Sequence, residues 1–136
     1  MDVLCDTSFL MVLVSTPTKR IDKVELELGN KLNFLVPTIV IDELKHLQLS
    51  AGPKRSKMAK LAIEISNSKL KVVDIIKSGH VDDALIDYAV NHDCAAATID
   101  KSLRRRLIAS GVPVITLNRN KFMVATNLGT RDNFKF

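Results

Sequence analysis

Short apolar runs alternate along the chain with segments whose apolar residues recur every three or four positions. The runs are Val3-Leu4-Cys5, Phe34-Leu35-Val36, Val72 to Ile76, Ala95 to Ile99, and Val114-Ile115-Thr116-Leu117. Each predicts a strand with little polar alternation, as expected when both faces are covered. The periodic segments between them predict helices. One begins near Phe9, after Thr7 and Ser8, which are suited to a helix start. Thr16-Pro17-Thr18 interrupts it, and a second, amphipathic helix follows, with Ile21, Val24, Leu26 and Leu28, to stop at Gly29-Asn30. Ile41, Leu44 and Leu47 mark a helix from about Thr38 to Leu49; Met58, Leu61, Ala62 and Ile65 mark one from about Ser56 to Ser66. Val81-Asp82-Asp83 opens another, and Lys101 to Ser110 forms a basic one ended by Gly111. The segment after Asn118 reads as loop.

Strand and helix in alternation predict an α/β domain built on a parallel sheet with helices on both faces. At 136 residues, with 46% hydrophobic, the chain has the size and the apolar content for one domain with its own core. Residues 2–117 are expected to form that core, with 118–136 as a tail. No apolar stretch is long enough to span a bilayer, and the first residues lack the basic region and cleavage site of a signal peptide. The expectation is a cytosolic protein with no membrane partner. Cys5 and Cys94 lie among apolar residues and read as small buried side chains.

Charge adds a partner. The net charge is +5, and the surplus is localised: from Lys101 onward there are eight basic residues and one acidic. A second basic cluster is Lys54, Arg55, Lys57 and Lys60. Localised positive charge is the footprint of a polyanion such as RNA. Lys101, Arg104 and Arg105, and across the chain Lys54 and Arg55, are the expected backbone contacts.

The acids then suggest chemistry. In an open parallel sheet, function gathers beyond the carboxyl ends of the strands, where strand order reverses. Asp6 ends the first strand and Asp100 ends the fourth; Glu43 is one turn into the helix after the second strand, and Asp83 opens the helix before the fourth. Each alone is an ordinary residue for a helix terminus or surface. Together they form an oxygen-only set suited to Mg²⁺ or Mn²⁺. His46, His80 and His92 have no metal-binding spacing, and no glycine-rich nucleotide loop is present.

These residues resemble the PIN-domain nucleases. Asp6-Thr7-Ser8 after a strand, Glu43 within Val40-Ile41-Asp42-Glu43-Leu44, Asp83-Ala84-Leu85-Ile86, and Thr98-Ile99-Asp100 followed by Leu103 match the family's motifs in order. The Asp82-Asp83 pair, the basic run Lys101 to Arg106 and Gly111-Val112-Pro113 resemble the branch that processes rRNA for the small ribosomal subunit. The chain's size also resembles stand-alone archaeal and VapC-like members. The resemblance implies a three-layer fold with a five-stranded parallel sheet of order 3-2-1-4-5. It implies Mg²⁺- or Mn²⁺-dependent cleavage of single-stranded RNA leaving a 5′-phosphate. It assigns catalytic and metal-binding roles to Asp6, Glu43, Asp83 and Asp100, with Thr7, Ser8, Asp82 and Thr98 supporting them. Implied partners are rRNA precursor, a second copy of the chain, and a ribosome-assembly factor or an antitoxin. Three other readings stand beside an rRNA-processing enzyme: a toxin ribonuclease, a non-catalytic RNA-binding assembly module of the same fold, and a phosphoacceptor receiver domain. The last would want a second acid beside Asp6 and a lysine directly after the fifth strand, and the sequence has neither.

Overall fold

The computed structural model describes residues 1–76, 79–118, 121–126 and 129–130. Its strands are β1 (Asp2–Cys5), β2 (Asn33–Pro37), β3 (Lys71–Val73), β4 (Ala95–Ala97), β5 (Val114–Asn118), β6 (Lys121–Thr126) and β7 (Gly129–Thr130). Its helices are α1 (Thr7–Leu13), α2 (Thr18–Leu28), α3 (Thr38–Ser50), α4 (Pro53–Lys69), α5 (Val81–Asn91) and α6 (Lys101–Ala109). The sheet has the order β3-β2-β1-β4-β5-β6-β7. β3 through β5 run parallel, in the expected order, within a three-layer α/β architecture.

β1 is central. It pairs on one side with β2 (Leu4 opposite Leu35) and on the other with β4 (Leu4 opposite Ala96). Val3, Leu4 and Cys5 are buried, as the continuous apolar run predicts. β4 is a strand of three alanines. Alanine favours helix in isolation, but between β1 and β5 all three residues are buried and tertiary pairing overrides local preference. Phe9 of α1 packs its ring 5.9 Å from that of Phe34 and 6.0 Å from that of Phe122, joining the two halves of the sheet. Leu4→Ala should therefore destabilise the protein by about 2–5 kcal/mol, read from denaturant unfolding. A loss well under about 1 kcal/mol would mean that the centre of the sheet is loosely packed.

Two expectations need correcting. The segment after Asn118 is not loop throughout. β6 pairs antiparallel with β5, from Val114 opposite Ala125 to Asn118 opposite Lys121, and β7 pairs with β6. The sheet thus has seven strands, not five, because Phe122, Val124 and Ala125 can be buried there. The rest of the expected tail, residues 119–120, 127–128 and 131–136, lies outside the described residues. The third strand is shorter than the run Val72 to Ile76. The Thr38 hydroxyl accepts a hydrogen bond from the Ile75 N–H at 3.1 Å and donates to the Asp74 carboxylate at 3.2 Å, which draws the chain out of the sheet after Val73. Ile76 is left exposed. No helix among the described residues is long and apolar enough to cross a membrane.

Candidate active site

The turn after β1 and the turn after β4 lie side by side, and a hydrogen-bonded network joins them around Asp6. The Asp6 N–H donates to the Ala97 carbonyl at 3.1 Å, fixing the first turn to the second. Asp6 caps α1: its carboxylate accepts the Phe9 N–H at 2.8 Å. Ser8 donates its hydroxyl to the same carboxylate at 2.8 Å, and Thr98 donates to the other oxygen at 2.5 Å. Ser8 Oγ in turn accepts the Ile99 N–H at 3.1 Å, and Thr98 Oγ1 accepts the Asp100 N–H at 3.0 Å. Both hydroxyls are thus oriented by backbone and point their protons at Asp6.

Asp6 is only 8% exposed. Burial pushes its carboxyl pKa up; the bonds from Thr98, Phe9 and Ser8 oppose that, and the negative charge of Asp100 adds to it. Asp100 is exposed and caps α6, with one oxygen accepting the Ser102 and Leu103 N–H groups at 2.8 and 3.2 Å. Glu43, on α3, accepts the Thr7 hydroxyl at 2.8 Å. Because Thr7 follows Asp6 directly, this bond anchors α3 to the same turn.

A cavity of about 820 Å³ opens here, and Asp6, Asp42, Glu43, Asp82 and Asp100 all line it. The motif order in the sequence sets Asp83 among the central acids and Asp82 beside them. In the structure Asp82 faces the cavity with Val81 and Leu85, one turn along α5, whereas Asp83 is not part of the lining. Asp83 forms an ion pair with Arg106 of α6. That hydrogen bond and charge hold the Asp83 carboxyl below its usual range. The Asp82 carboxyl is pushed up, first by partial burial and then by Asp100, with Arg106 opposing. In the sequence Asp42 has no mark that sets it apart from an ordinary surface charge. Its position three residues after Ile39 puts both on the cavity side of α3, as spacings of three and four do for His46 and Leu47 after Glu43.

Of the basic residues expected to contact RNA, Arg55 reaches the cavity lining. Lys54, Lys101 and Arg105 are exposed and Arg104 is half-buried, outside the lining. Arg106, for which the sequence offers no separate signal within the basic run, is the residue that engages the acids of α5. Among the described residues no three His, Cys, Asp or Glu side chains converge closely enough to enclose an ion by themselves. Five carboxylates line the cavity, with His46 beside them. Carboxylate oxygens are the donors a hard cation such as Mg²⁺ takes, with water filling the rest of its shell.

A family model described as "PIN like domain" matches residues 3–121. "Ribonuclease VapC4" of Methanocaldococcus jannaschii is 25% identical over 123 residues, which are 88% of this chain and 92% of that protein. "Ribonuclease VapC9" of Archaeoglobus fulgidus is 32% identical over 88 residues, 65% of this chain and 63% of that protein. Among solved structures, the PIN domain endonuclease Utp24 superposes with a TM-score of 0.70 at 21% identity, covering 90% of each chain. VapBC2 from Rickettsia felis, solved on a DNA fragment from its promoter, superposes with a TM-score of 0.60 at 15% identity, covering 85% of this chain and 98% of that one. At such identities the structural likeness bears on the fold.

Proposed function

The chain belongs to the PIN-like domain family, and from that premise we propose that it is a divalent-metal-dependent ribonuclease that hydrolyses single-stranded RNA. The observation that carries the reading is the buried Asp6 carboxylate, held by Thr98, Ser8 and the Phe9 N–H at one cavity with Glu43, Asp82 and Asp100. The names of the two ribonuclease relatives support it.

Asp6 is the fixed point of the site, with both oxygens already oriented. Asp100 and Asp82 bring negative charge to the same cavity from the starts of α6 and α5, and Glu43 from α3. Mg²⁺ or Mn²⁺, when bound by these acids through direct and water-mediated contacts, would lower the pKa of an attacking water and offset charge on the phosphodiester. Thr7, Ser8 and Thr98 keep the carboxylates in place. We assign to Asp82 the place that the family motif suggests for Asp83, since Asp83 is engaged with Arg106. The test is cleavage of end-labelled single-stranded RNA in Mn²⁺ with and without EDTA; turnover that persists in EDTA refutes metal dependence. No turnover on any RNA, with RNA still bound, leaves a binding module.

Lys101, Arg104 and Arg105 follow Asp100 directly and are positioned to draw an RNA backbone towards it, with Lys54 and Arg55 on α4 as further contacts. Replacing Arg104 and Arg105 together with Ala should weaken RNA binding and flatten its salt dependence by about 0.7 in log–log slope for each phosphate no longer neutralised. Anisotropy titrations at several salt concentrations measure this; an unchanged slope removes α6 from the interface.

Two settings suit such an enzyme. The relatives' names favour a toxin ribonuclease paired with a small antitoxin. The Asp82-Asp83 pair, the basic α6 and Gly111-Val112-Pro113 favour rRNA maturation. An antitoxin gene directly upstream supports the first; uncut rRNA precursor after loss of the gene supports the second.

A further inference from the structure

The acidic cavity has a second half that its carboxylates do not use. On α1 the lining passes from Thr7 and Ser8 to Met11 and Val12. On α3 it passes from Glu43 to Leu47, one helical turn or about 6 Å further along. Met58 of α4 completes the apolar wall, and Arg55, three residues before it on the same helix, also lines the cavity. Met11 is buried, while Val12, Leu47 and Met58 remain partly open to solvent. Within a single turn the surface changes from carboxylates to thioethers and aliphatic carbons, with a guanidinium on the apolar side.

We infer that this half is a base-binding subsite for one unpaired nucleotide next to the phosphate that is cut, an inference resting on the ribonuclease reading. A metal site alone has no use for an adjoining apolar wall, and partly open apolar side chains in a concavity mark a place where a ligand is bound. The occupant must carry an apolar face close to one anionic group, and a further anion for Arg55. A nucleotide within a single strand has that composition: the base covers Leu47 and Met58, one phosphate reaches the acids by way of a cation, and a neighbouring phosphate meets Arg55. The base must be unpaired, because a duplex withholds its faces. The exposed Lys54, next to Arg55 on α4, adds positive charge beside the cavity and favours a polyanion. Among the described residues neither Phe nor Tyr lines the cavity, so the wall contacts the base through Val12, Leu47 and Met58, with His46 of α3 as the one aromatic ring beside them. Aliphatic and thioether side chains select little among bases, and weak base preference is expected.

The test uses fluorescence anisotropy of a labelled single-stranded RNA of about eight nucleotides. It is carried out in EDTA to prevent cleavage, with single abasic substitutions scanned along the strand. One position should lose about tenfold in affinity when its base is removed. Product ends mapped in Mn²⁺ should place that position beside the cut. Met58→Gln and Leu47→Ser, each checked for an unchanged melting temperature, should weaken binding of the intact strand and leave the abasic strand nearly unaffected. Four different bases at the sensitive position should bind within about threefold of each other. RNA that binds with a flat abasic scan overturns the subsite and hands the wall to a protein partner, without touching the ribonuclease reading. A sensitive position that responds identically in both variants and wild type places the base elsewhere and also overturns it. RNA that is neither bound in EDTA nor cleaved in Mn²⁺ overturns the ribonuclease reading and the subsite together.

Discussion

Asp82→Asn is expected to slow cleavage of single-stranded RNA by roughly a hundredfold, whereas Asp83→Asn stays within about fivefold of wild type. The two residues are adjacent and identical, and both sit in the first turn of α5, where negative charge suits the helix dipole. What separates them is direction. Successive residues on a helix point about 100° apart, and here Asp82 takes the cavity side while Asp83 takes the side of α6. Asp82 does so with Val81 and Leu85, and its carboxyl is pushed up by burial and by Asp100. Asp83 is turned to Arg106, and its carboxyl is held down by that partner. The Asp83–Arg106 pair is about half exposed on both sides, so solvent screens it and its loss should barely change the melting temperature. Rates measured at saturating RNA in Mn²⁺ decide the matter. A large loss in Asp83→Asn with a small one in Asp82→Asn would return the acidic role to Asp83 and require α5 or its side chains to rearrange around the metal.

Asp6→Asn is expected to do two opposite things: reduce cleavage by about a hundredfold or more and raise the melting temperature of the metal-free protein at neutral pH. The first follows from losing the fixed carboxylate at the centre of the site. The second follows from the cost of keeping it there. Its pKa in the folded state is raised, chiefly by burial, so the folded state holds the proton more tightly than the unfolded state does. The stability linked to that proton is present at low pH. It is lost as pH rises from the ordinary carboxylate range through the raised folded value. At neutral pH the ionised, buried Asp6 is therefore a net burden, made heavier by Asp100. Asparagine keeps an oxygen to accept the Phe9 N–H, and it is a good helix cap. Melting curves across pH in EDTA should show the wild type losing stability through this window and the variant not doing so. A variant that melts below wild type at neutral pH would mean that the three hydrogen bonds outweigh burial and that Asp6 is a structural anion.

Much of the core and part of the site can be read from the sequence, and the reasons differ residue by residue. The apolar run Val3-Leu4-Cys5 announces the strand end at Asp6, because a parallel strand buried on both faces has no polar positions to blur its limits. The run up to Asp100 overshoots: β4 stops at Ala97 and Ile99 is exposed. Those two acids also cap the helices that follow, so a single local rule places both. Glu43 is reachable through helical spacing alone, and that spacing serves Asp42 equally; only the packed helix shows both on the cavity. Asp82 and Asp83 cannot be ordered by sequence, because the choice depends on Arg106 arriving from another helix. β6 escapes a sequence reading because Phe122, Val124 and Ala125 become a strand only when β5 offers a free edge. β3 falls short of its apolar run because one hydroxyl on α3, that of Thr38, competes for the chain at Asp74 and Ile75.

If the carboxylates around this cavity make a metal-dependent ribonuclease, single-turnover cleavage of a labelled single-stranded RNA in Mn²⁺ by wild type and Asp100→Asn tests that role most directly. Asparagine preserves the cap on Ser102 and Leu103 and removes only the charge. The wild type should give products ending in 5′-phosphate, and none in EDTA. The variant should cut at a rate at least about a hundredfold lower, with its melting temperature unchanged or raised. Equal rates for the folded variant and the wild type, or cleavage that continues in EDTA, would contradict a metal-dependent site built on these acids.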